Sequence, residues 1–135
     1  MKHVVLDASA LLAMFYGEPG ADEVRALFHR ANAADQPLLM TAVNWAETLY
    51  RIEKSQGSTG VSAARQLAAS GPLSIIPSDE EQAELAAGYK AAGLLALADG
   101  FAAALTTLRK AELVTADYDF KAVEKELKIT WLKKA

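Results

Sequence analysis

Four acidic residues each stand at an end of a separate apolar segment: Asp7 after HVVL, Glu47 in TAVNWAE, Asp99 in LALAD and Asp117 in ELVTAD. Strands of an open α/β sheet end at a common edge, where such proteins bind ligands. Two carboxylates about 5 Å apart at that edge would repel each other by roughly 3 kcal/mol at an effective dielectric constant near 20. A divalent metal ion with oxygen ligands would relieve the repulsion. The four acids therefore predict a metal-dependent phosphodiesterase.

The segment around Asp117 carries the most chemical information. In TADYDF, Thr115 precedes the acid by two residues and Asp119 follows it by two. The hydroxyl of Thr115 can donate a hydrogen bond to a carboxylate or to a metal-bound water, and Asp119 adds a second acid. The D-x-D pattern is also common in turns, so this motif is specific only together with the other three acids.

Each of the other acids also has a purely structural interpretation. Asp7 is a candidate for an Asx turn or a helix cap, although Ser9 can cap the same helix. Asn44 and Glu47 have the spacing of a capping box; in a metal site, Asn44 would instead orient Glu47 or hold a water. Asp99 lies in the first turn of an apolar helix, where the helix dipole stabilises an acid by about 0.3–1 kcal/mol.

The hydrophobic pattern predicts short strands that alternate with helices. Predicted strands cover residues 3–6, 38–41, 73–76, 113–115 and 129–132. Predicted helices cover about 9–16, 21–34, 44–56, 61–69, 78–92, 96–110 and 120–127, with a turn at 57–60 and a Ser78–Glu81 capping box. This alternation indicates an α/β fold with three layers, α/β/α, around a mainly parallel sheet. We expect one domain over residues 1–135.

Composition narrows the class of protein. Of the 135 residues, 52% are hydrophobic and 23% charged, which is typical of one globular domain. The chain has no cysteine and two histidines, which argues against a thiolate nucleophile and against a Cys- or His-rich zinc site. The formal net charge of −3 argues weakly against a general nucleic-acid binder, because a metal would neutralise several acids.

The sequence also bears on localisation. The N-terminal MKHVVLD reaches an acid after three apolar residues, which is unlike a signal peptide. The longest apolar run, residues 91–98, is far shorter than the roughly 20 residues that a membrane span needs. We therefore expect a soluble cytoplasmic protein without a membrane association.

Four segments of the chain resemble the PIN domain family. They are VVLDASALLA, TAVNWAETLYR, LALADGFAAAL and LVTADYDF, and together they extend over nearly the whole chain. In size and motif order the chain is similar to the VapC-type toxins of prokaryotic toxin–antitoxin pairs. It departs from the usual pattern at Ala96 and at Gly100, a glycine inside a predicted helix that costs about 0.5–1 kcal/mol relative to Ala.

The resemblance implies a fold, a site and an activity. The fold would have the strand order 3-2-1-4-5. Mg²⁺, or Mn²⁺ in its place, would be bound by Asp7, Glu47, Asp99 and Asp117, with Asp119 also near the metal and Ser9, Asn44 and Thr115 in support. The protein would be a homodimeric endoribonuclease that cleaves RNA and is blocked by a cognate antitoxin protein.

Several alternatives remain open from the residues alone. A non-catalytic binding protein on the same scaffold would act through partner contact only. A receiver domain needs a phosphorylatable Asp after the third strand, where this chain has Pro77-Ser78. A TOPRIM-like nuclease would leave Asp7 unexplained. Trp45 and Tyr118 are candidates for stacking on RNA bases or for packing beneath the sheet edge.

Overall fold

The computed structural model describes residues 2–133, so Met1, Lys134 and Ala135 lie outside the described residues. Five strands form one parallel sheet in the order β3-β2-β1-β4-β5, which confirms the predicted topology. The strands are β1 (Val4–Leu6), β2 (Leu38–Thr41), β3 (Leu73–Ile76), β4 (Glu112–Thr115) and β5 (Lys128–Trp131).

Helices cover both faces of this sheet, as the alternation of strands and helices predicts. They are α1 (Ala8–Phe15), α2 (Ala21–Ala34), α3 (Ala42–Ala69), α4 (Glu80–Ala91) and α5 (Leu97–Leu108), followed by a 3₁₀ helix at Tyr118–Val123. Successive strand residues point to opposite faces. Leu6 and Val114 therefore pack in the core with α1 and α2, whereas Val5 and Leu113 pack in the core with α5.

The chain between β2 and β3 differs from the prediction of two helices separated by a four-residue turn. Helix α3 runs over the whole interval and is interrupted by one residue, Gly57, whose φ of 65° and ψ of −160° are non-helical. Gly60 is then helical and sits so close to Ile52 that a Cβ there would lie 2.7 Å from the Ile52 Cγ2. The glycines therefore kink the helix at Gly57 and keep its second half packed on the first.

Two predicted local structures are wrong. Asp79 caps α4 by accepting a 3.0 Å hydrogen bond from the Gln82 backbone N–H, whereas the Ser78 hydroxyl accepts from Val43 N–H at 3.3 Å. The helix predicted at 120–127 is instead the 3₁₀ helix at Tyr118–Val123. The Asp117 carboxylate accepts from Asp119 N–H at 2.9 Å, and this local bond favours the tight i→i+3 turn.

Gly100 has a packing reason that the sequence does not reveal. A Cβ at this position would lie 3.1 Å from both the Cα and the carbonyl oxygen of Ala86 on α4. The missing side chain therefore lets the backbones of α4 and α5 approach closely. Within residues 2–133, no helix is both long and apolar enough to cross a membrane.

Candidate metal centre

The carboxyl ends of two neighbouring strands carry two of the predicted acids. Asp7 directly follows β1, and Asp117 lies two residues beyond the end of β4. Because Leu6 pairs with Val114 in the sheet, both acids lie on the same edge. Asp99 lies in the first turn of α5 and Glu47 lies near the start of α3, directly after β2. The fold thus brings the acids to the edge at which parallel sheets bind ligands.

Asp7 is buried, with 2% of its surface exposed, and three donors hold its carboxylate. Thr115 Oγ1 donates at 2.7 Å, Ser9 Oγ at 2.8 Å and the Ala10 backbone N–H at 3.0 Å. Burial raises the pKa of Asp7 to about 6, although the hydrogen bonds from Thr115 and Ser9 act in the opposite direction. The side chain is therefore fixed in orientation and carries a costly buried charge when it is ionised.

Of the two candidate caps of α1, Asp7 is the one that caps the helix in the structure. Ser9 lies in the first turn of α1, where its hydroxyl donates to Asp7 and accepts a 3.0 Å hydrogen bond from the Ala116 N–H. Ser9 therefore connects α1 to the segment that follows β4. The Asp7 carboxylate therefore both caps α1 and forms part of the candidate site.

Three other carboxylates form a tight group. Asp99, Asp117 and Asp119 each present an oxygen, and these oxygens all lie within 4.8 Å of one another. The pKa of Asp99 is raised to about 7, first by burial and then by the charges of Asp117, Asp7, Glu47 and Asp119. Four other acids thus act electrostatically on Asp99. We call the group Asp99, Asp117 and Asp119 the acidic cluster.

Thr115 joins the cluster to Asp7. Its hydroxyl donates to Asp7 and accepts a 2.9 Å hydrogen bond from the backbone N–H of Asp117. The same oxygen lies 3.1 Å from Ser9 Oγ. Thr115 therefore donates to a carboxylate, as predicted, but that carboxylate belongs to Asp7, and Thr115 contacts Asp117 through its backbone N–H.

Glu47 lies at the margin of the site. Its Oε2 is 3.5 Å from Arg51 Nη2, one helical turn later, and it is not a member of the acidic cluster. An ion pair that is half exposed contributes little to stability, and it leaves the carboxylate able to change partner. The charge of Glu47 nevertheless contributes to the raised pKa of Asp99.

Asn44 does not cap α3 and does not contact Glu47 through a described hydrogen bond. Thr41 is the cap, and it accepts from the Asn44 backbone N–H at 3.0 Å while donating to Asn44 Oδ1 at 2.7 Å. Asn44 Nδ2 donates to the carbonyl of Ala98 at 3.2 Å. Asn44 therefore holds the start of α5, and with it Asp99, against α3. Sequence reasoning missed Thr41 because it is also the last residue of β2.

The two aromatic candidates have different surroundings. Trp45 is partly buried and packs against the core, as its structural interpretation predicts. Tyr118 is 39% exposed and makes an edge-to-face contact with Trp131, with ring centroids 5.2 Å apart. Lys121 Nζ lies 5.7 Å from the centroid of the Tyr118 ring. The sequence did not indicate the contact of Trp131 with Tyr118, because Trp131 lies in a strand whose pattern indicates only packing.

The sequence matches the model of the PIN domain over residues 4–126. This chain belongs to the PIN domain family. The match argues against the receiver-like and TOPRIM-like alternatives. A search of curated proteins found no match to the sequence.

Solved structures share the fold of this PIN domain. A toxin–antitoxin complex from Klebsiella pneumoniae aligns with a TM-score of 0.71 at 20% identity, over 98% of this chain and 99% of the other. VapBC2 from Rickettsia felis, bound to a promoter DNA fragment, has a TM-score of 0.71 at 18% identity, over 96% and 98%. Mycobacterium tuberculosis VapC20, a toxin that cleaves the sarcin–ricin loop, has a TM-score of 0.71 at 16% identity, over 89% and 94%. At these low sequence identities the comparisons show a shared fold alone.

The donor set of this PIN domain fits a hard divalent cation. The acidic cluster offers carboxylate oxygens alone, which suit Mg²⁺ or Mn²⁺ and do not favour zinc. A cation among these oxygens would also remove the repulsion that raises the pKa of Asp99. The site is thus electrostatically complementary to a metal ion.

Proposed function

We propose that this PIN domain is a metal-dependent endoribonuclease that hydrolyses RNA phosphodiester bonds. The observation that carries the proposal is the acidic cluster, in which oxygens of Asp99, Asp117 and Asp119 lie within 4.8 Å of one another. The cluster lies at the ligand-binding edge of the sheet, beside the buried Asp7. Membership of the PIN family and the fold shared with VapC20, a toxin described as cleaving an RNA loop, support RNA as the substrate.

The acids have distinct parts in this proposal. Asp99, Asp117 and Asp119 hold Mg²⁺, or Mn²⁺ in its place, and Asp7 and Glu47 complete the negative site. When bound by these carboxylates, such an ion would supply a water of lowered pKa and would neutralise charge on the phosphoryl oxygens. Thr115 and Ser9 keep Asp7 in place, and Asn44 keeps the start of α5 in place. No side chain needs to form a covalent bond to the substrate.

We further propose that the chain is the toxin of a toxin–antitoxin pair. Structures of toxin–antitoxin complexes from Klebsiella pneumoniae and Rickettsia felis share its fold over nearly their whole length. The proposal entails a cognate antitoxin protein that blocks the site, a homodimer, a single functional domain over residues 1–135 and action in the cytoplasm.

Cleavage of a total-RNA pool tests the enzymatic proposal. We expect new RNA ends with the wild type in Mg²⁺, and none with EDTA, Asp7→Asn or Asp117→Asn. Asp22→Asn is the matched control, because the Asp22 side chain is 98% exposed, pairs with Arg25 and is not a member of the cluster. Asp117→Asn is the more informative variant, because Asp7 is buried as well as capping α1, whereas Asn at position 117 is partly exposed and can still accept from the Asp119 N–H. Identical cleavage by wild type and Asp117→Asn would contradict the proposal.

A calorimetric Mn²⁺ titration separates this enzyme from a non-catalytic binding protein on the same scaffold. A protein that acts by partner contact alone has no need of the cluster, because loss of one acid would relieve repulsion. We expect Mn²⁺ to bind to wild type and to Asp22→Asn, and its affinity to fall at least tenfold in Asp117→Asn. Equal binding to all three proteins would favour the non-catalytic alternative.

A further inference from the structure

A hollow of about 380 Å³ adjoins the acidic cluster, and Asp117 forms part of its wall. Its volume lies within the range of small-molecule binding sites, about 300–1,000 Å³. The opposite wall comes from α1 and the loop after it, and it includes Leu12 and Pro19. The hollow therefore has an apolar side and a side that faces the proposed site of chemistry.

Two cationic side chains from distant parts of the chain line the same hollow. Arg51 comes from α3, and Lys133 follows the last strand. The Arg51 guanidinium also pairs with Glu47 at 3.5 Å, so Arg51 contacts one of the acids and lines the hollow. A guanidinium has five N–H donors, and one carboxylate oxygen leaves most of them for another anion. The arrangement suits a phosphate next to the metal site.

An aromatic ring and an acid line the rest of the hollow. Tyr16 is 38% exposed, and its hydroxyl is held by Ser55 Oγ at 2.9 Å and by the Arg51 carbonyl at 3.2 Å. Unpaired RNA bases stack on exposed aromatic rings. The carboxylate of Glu18, also in the lining, can accept a hydrogen bond from a base amino group.

A second hollow also adjoins the cluster, through Asp119. It has a volume of about 340 Å³ and is lined by Lys90, Leu94 and Asp119, among others. Asp117 and Asp119, two residues apart, thus each form part of a different hollow. A strand that passes from one hollow to the other would place a phosphate at the cluster.

We propose that the larger hollow binds one nucleotide of a single-stranded RNA, next to the phosphate that is cleaved. Arg51 and Lys133 bind the phosphate of this nucleotide, Tyr16 stacks on its base, and Glu18 accepts from the edge of the base. The assignment rests on the proposed ribonuclease activity, and it adds residues that select and position the substrate.

Binding of labelled single-stranded oligoribonucleotides of random sequence, followed by fluorescence anisotropy in EDTA, tests the assignment without cleavage. We expect Arg51→Ala and Lys133→Ala each to weaken binding about five- to tenfold. Each should also reduce the slope of log K against log salt concentration by about 0.7, the value for one lost phosphate contact on a single strand. Lys54→Ala on α3 and Lys125→Ala are charge-matched controls outside the hollow lining, and they should behave as wild type.

Further variants keep the test decisive if Arg51→Ala fails to fold. Lys133→Ala then tests the phosphate contact alone, and Arg51→Lys should retain part of the affinity, since it keeps the charge but loses the planar fork. Tyr16→Leu should weaken binding, whereas Tyr16→Phe keeps the ring and should bind as wild type. Thermal melting checks the fold of each variant.

Parallel RNA cleavage in Mg²⁺ separates this assignment from the proposed activity. If the wild type cleaves RNA while both alanine variants bind with wild-type affinity and salt slope, the nucleotide site is overturned and the ribonuclease stands. If the wild type does not cleave RNA, but the alanine variants bind more weakly and with a smaller salt slope, the nucleotide site stands and the proposed activity fails.

Discussion

Thr115 Oγ1 donates a 2.7 Å hydrogen bond to Asp7 Oδ2, although the two residues are 108 positions apart in the sequence. The same hydroxyl accepts from the Asp117 N–H at 2.9 Å. Both residues that it contacts belong to the proposed metal site, and the bonds run between the ends of β1 and β4. The buried Thr115 hydroxyl therefore helps to fix Asp7 relative to Asp117, together with the Ser9 hydroxyl, which connects Asp7 to the Ala116 N–H.

Replacement of Thr115 by Val should destabilise the protein and weaken metal binding. Val has nearly the same shape but leaves the Asp117 N–H without this acceptor and Asp7 without one donor, a cost of about 1–3 kcal/mol. Chemical denaturation in EDTA measures the stability, and Mn²⁺ titration measures the affinity.

Thr106→Val is the matched control for that experiment. Thr106 is also buried, but its hydroxyl donates at 2.8 Å to the Ala102 carbonyl within α5, away from the acids. We expect a smaller loss of stability and unchanged Mn²⁺ affinity. Equal effects of the two substitutions on metal affinity would show that Thr115 does not organise the site.

Asp99→Asn should leave the metal-free protein at least as stable as the wild type, while it abolishes RNA cleavage. Burial and four neighbouring acids raise the pKa of Asp99 to about 7, so its ionised form is unfavourable without a cation. Unfolding in EDTA at neutral pH gives the comparison. Glu80→Gln, a first-turn acid of α4, measures the helix-dipole contribution of about 0.3–1 kcal/mol separately. A loss of roughly 2 kcal/mol or more in Asp99→Asn would indicate a structural role instead.

The stability of the metal-free protein should fall as the pH rises from about 4 to about 7. The pKa values of Asp7, about 6, and Asp99, about 7, both exceed the ordinary value of 3.8. The folded state therefore binds more protons than the unfolded state in this range, and the contribution of these groups is complete below pH 4 and lost above pH 7. Thermal melting in EDTA across this range measures the trend. Mn²⁺ should raise the melting temperature most near pH 7, where protons compete least for the carboxylates.

Gly100→Ala should destabilise the protein by about 1–2 kcal/mol, even though Ala is the better helix former. The added Cβ would lie 3.1 Å from the Ala86 backbone, so α4 and α5 must separate. Gly88→Ala on α4 is the control, because a Cβ there meets nothing within 4 Å, and it should stabilise the protein by about 0.5–1 kcal/mol. Urea denaturation compares the two, and a stabilised Gly100→Ala would contradict the packing explanation.

The alternation of strands and helices and the parallel sheet were predictable from the hydrophobic pattern of the sequence. The apolar runs at β1, β2, β3 and β4 are each followed by polar or helix-forming residues, and this alternation permits few arrangements other than a parallel sheet. Resemblance to the PIN family supplied the strand order, and it also singled out the acids that the fold brings to one edge.

Which polar group contacts which was decided only by the tertiary structure. Local spacing left Asp7 and Ser9 as alternative caps of α1 and favoured Asn44 and Ser78 as the caps of α3 and α4, whereas Asp7, Thr41 and Asp79 are the caps in the structure. Neighbouring polar residues have similar capping preferences, so contacts with other elements decide between them.

The candidate site also combines features that the sequence predicted with features that only the tertiary structure decided. Residue types and motif order were enough to predict an acidic edge, and the repulsion between carboxylates at strand ends led to the hypothesis of a metal ion there. The grouping of Asp119 with Asp99 and Asp117, the pairing of Glu47 with Arg51 and the hollow beside Asp117 depend on distances between elements far apart in the chain. Those distances arise from helix packing on the sheet, which a periodic pattern along one chain does not encode.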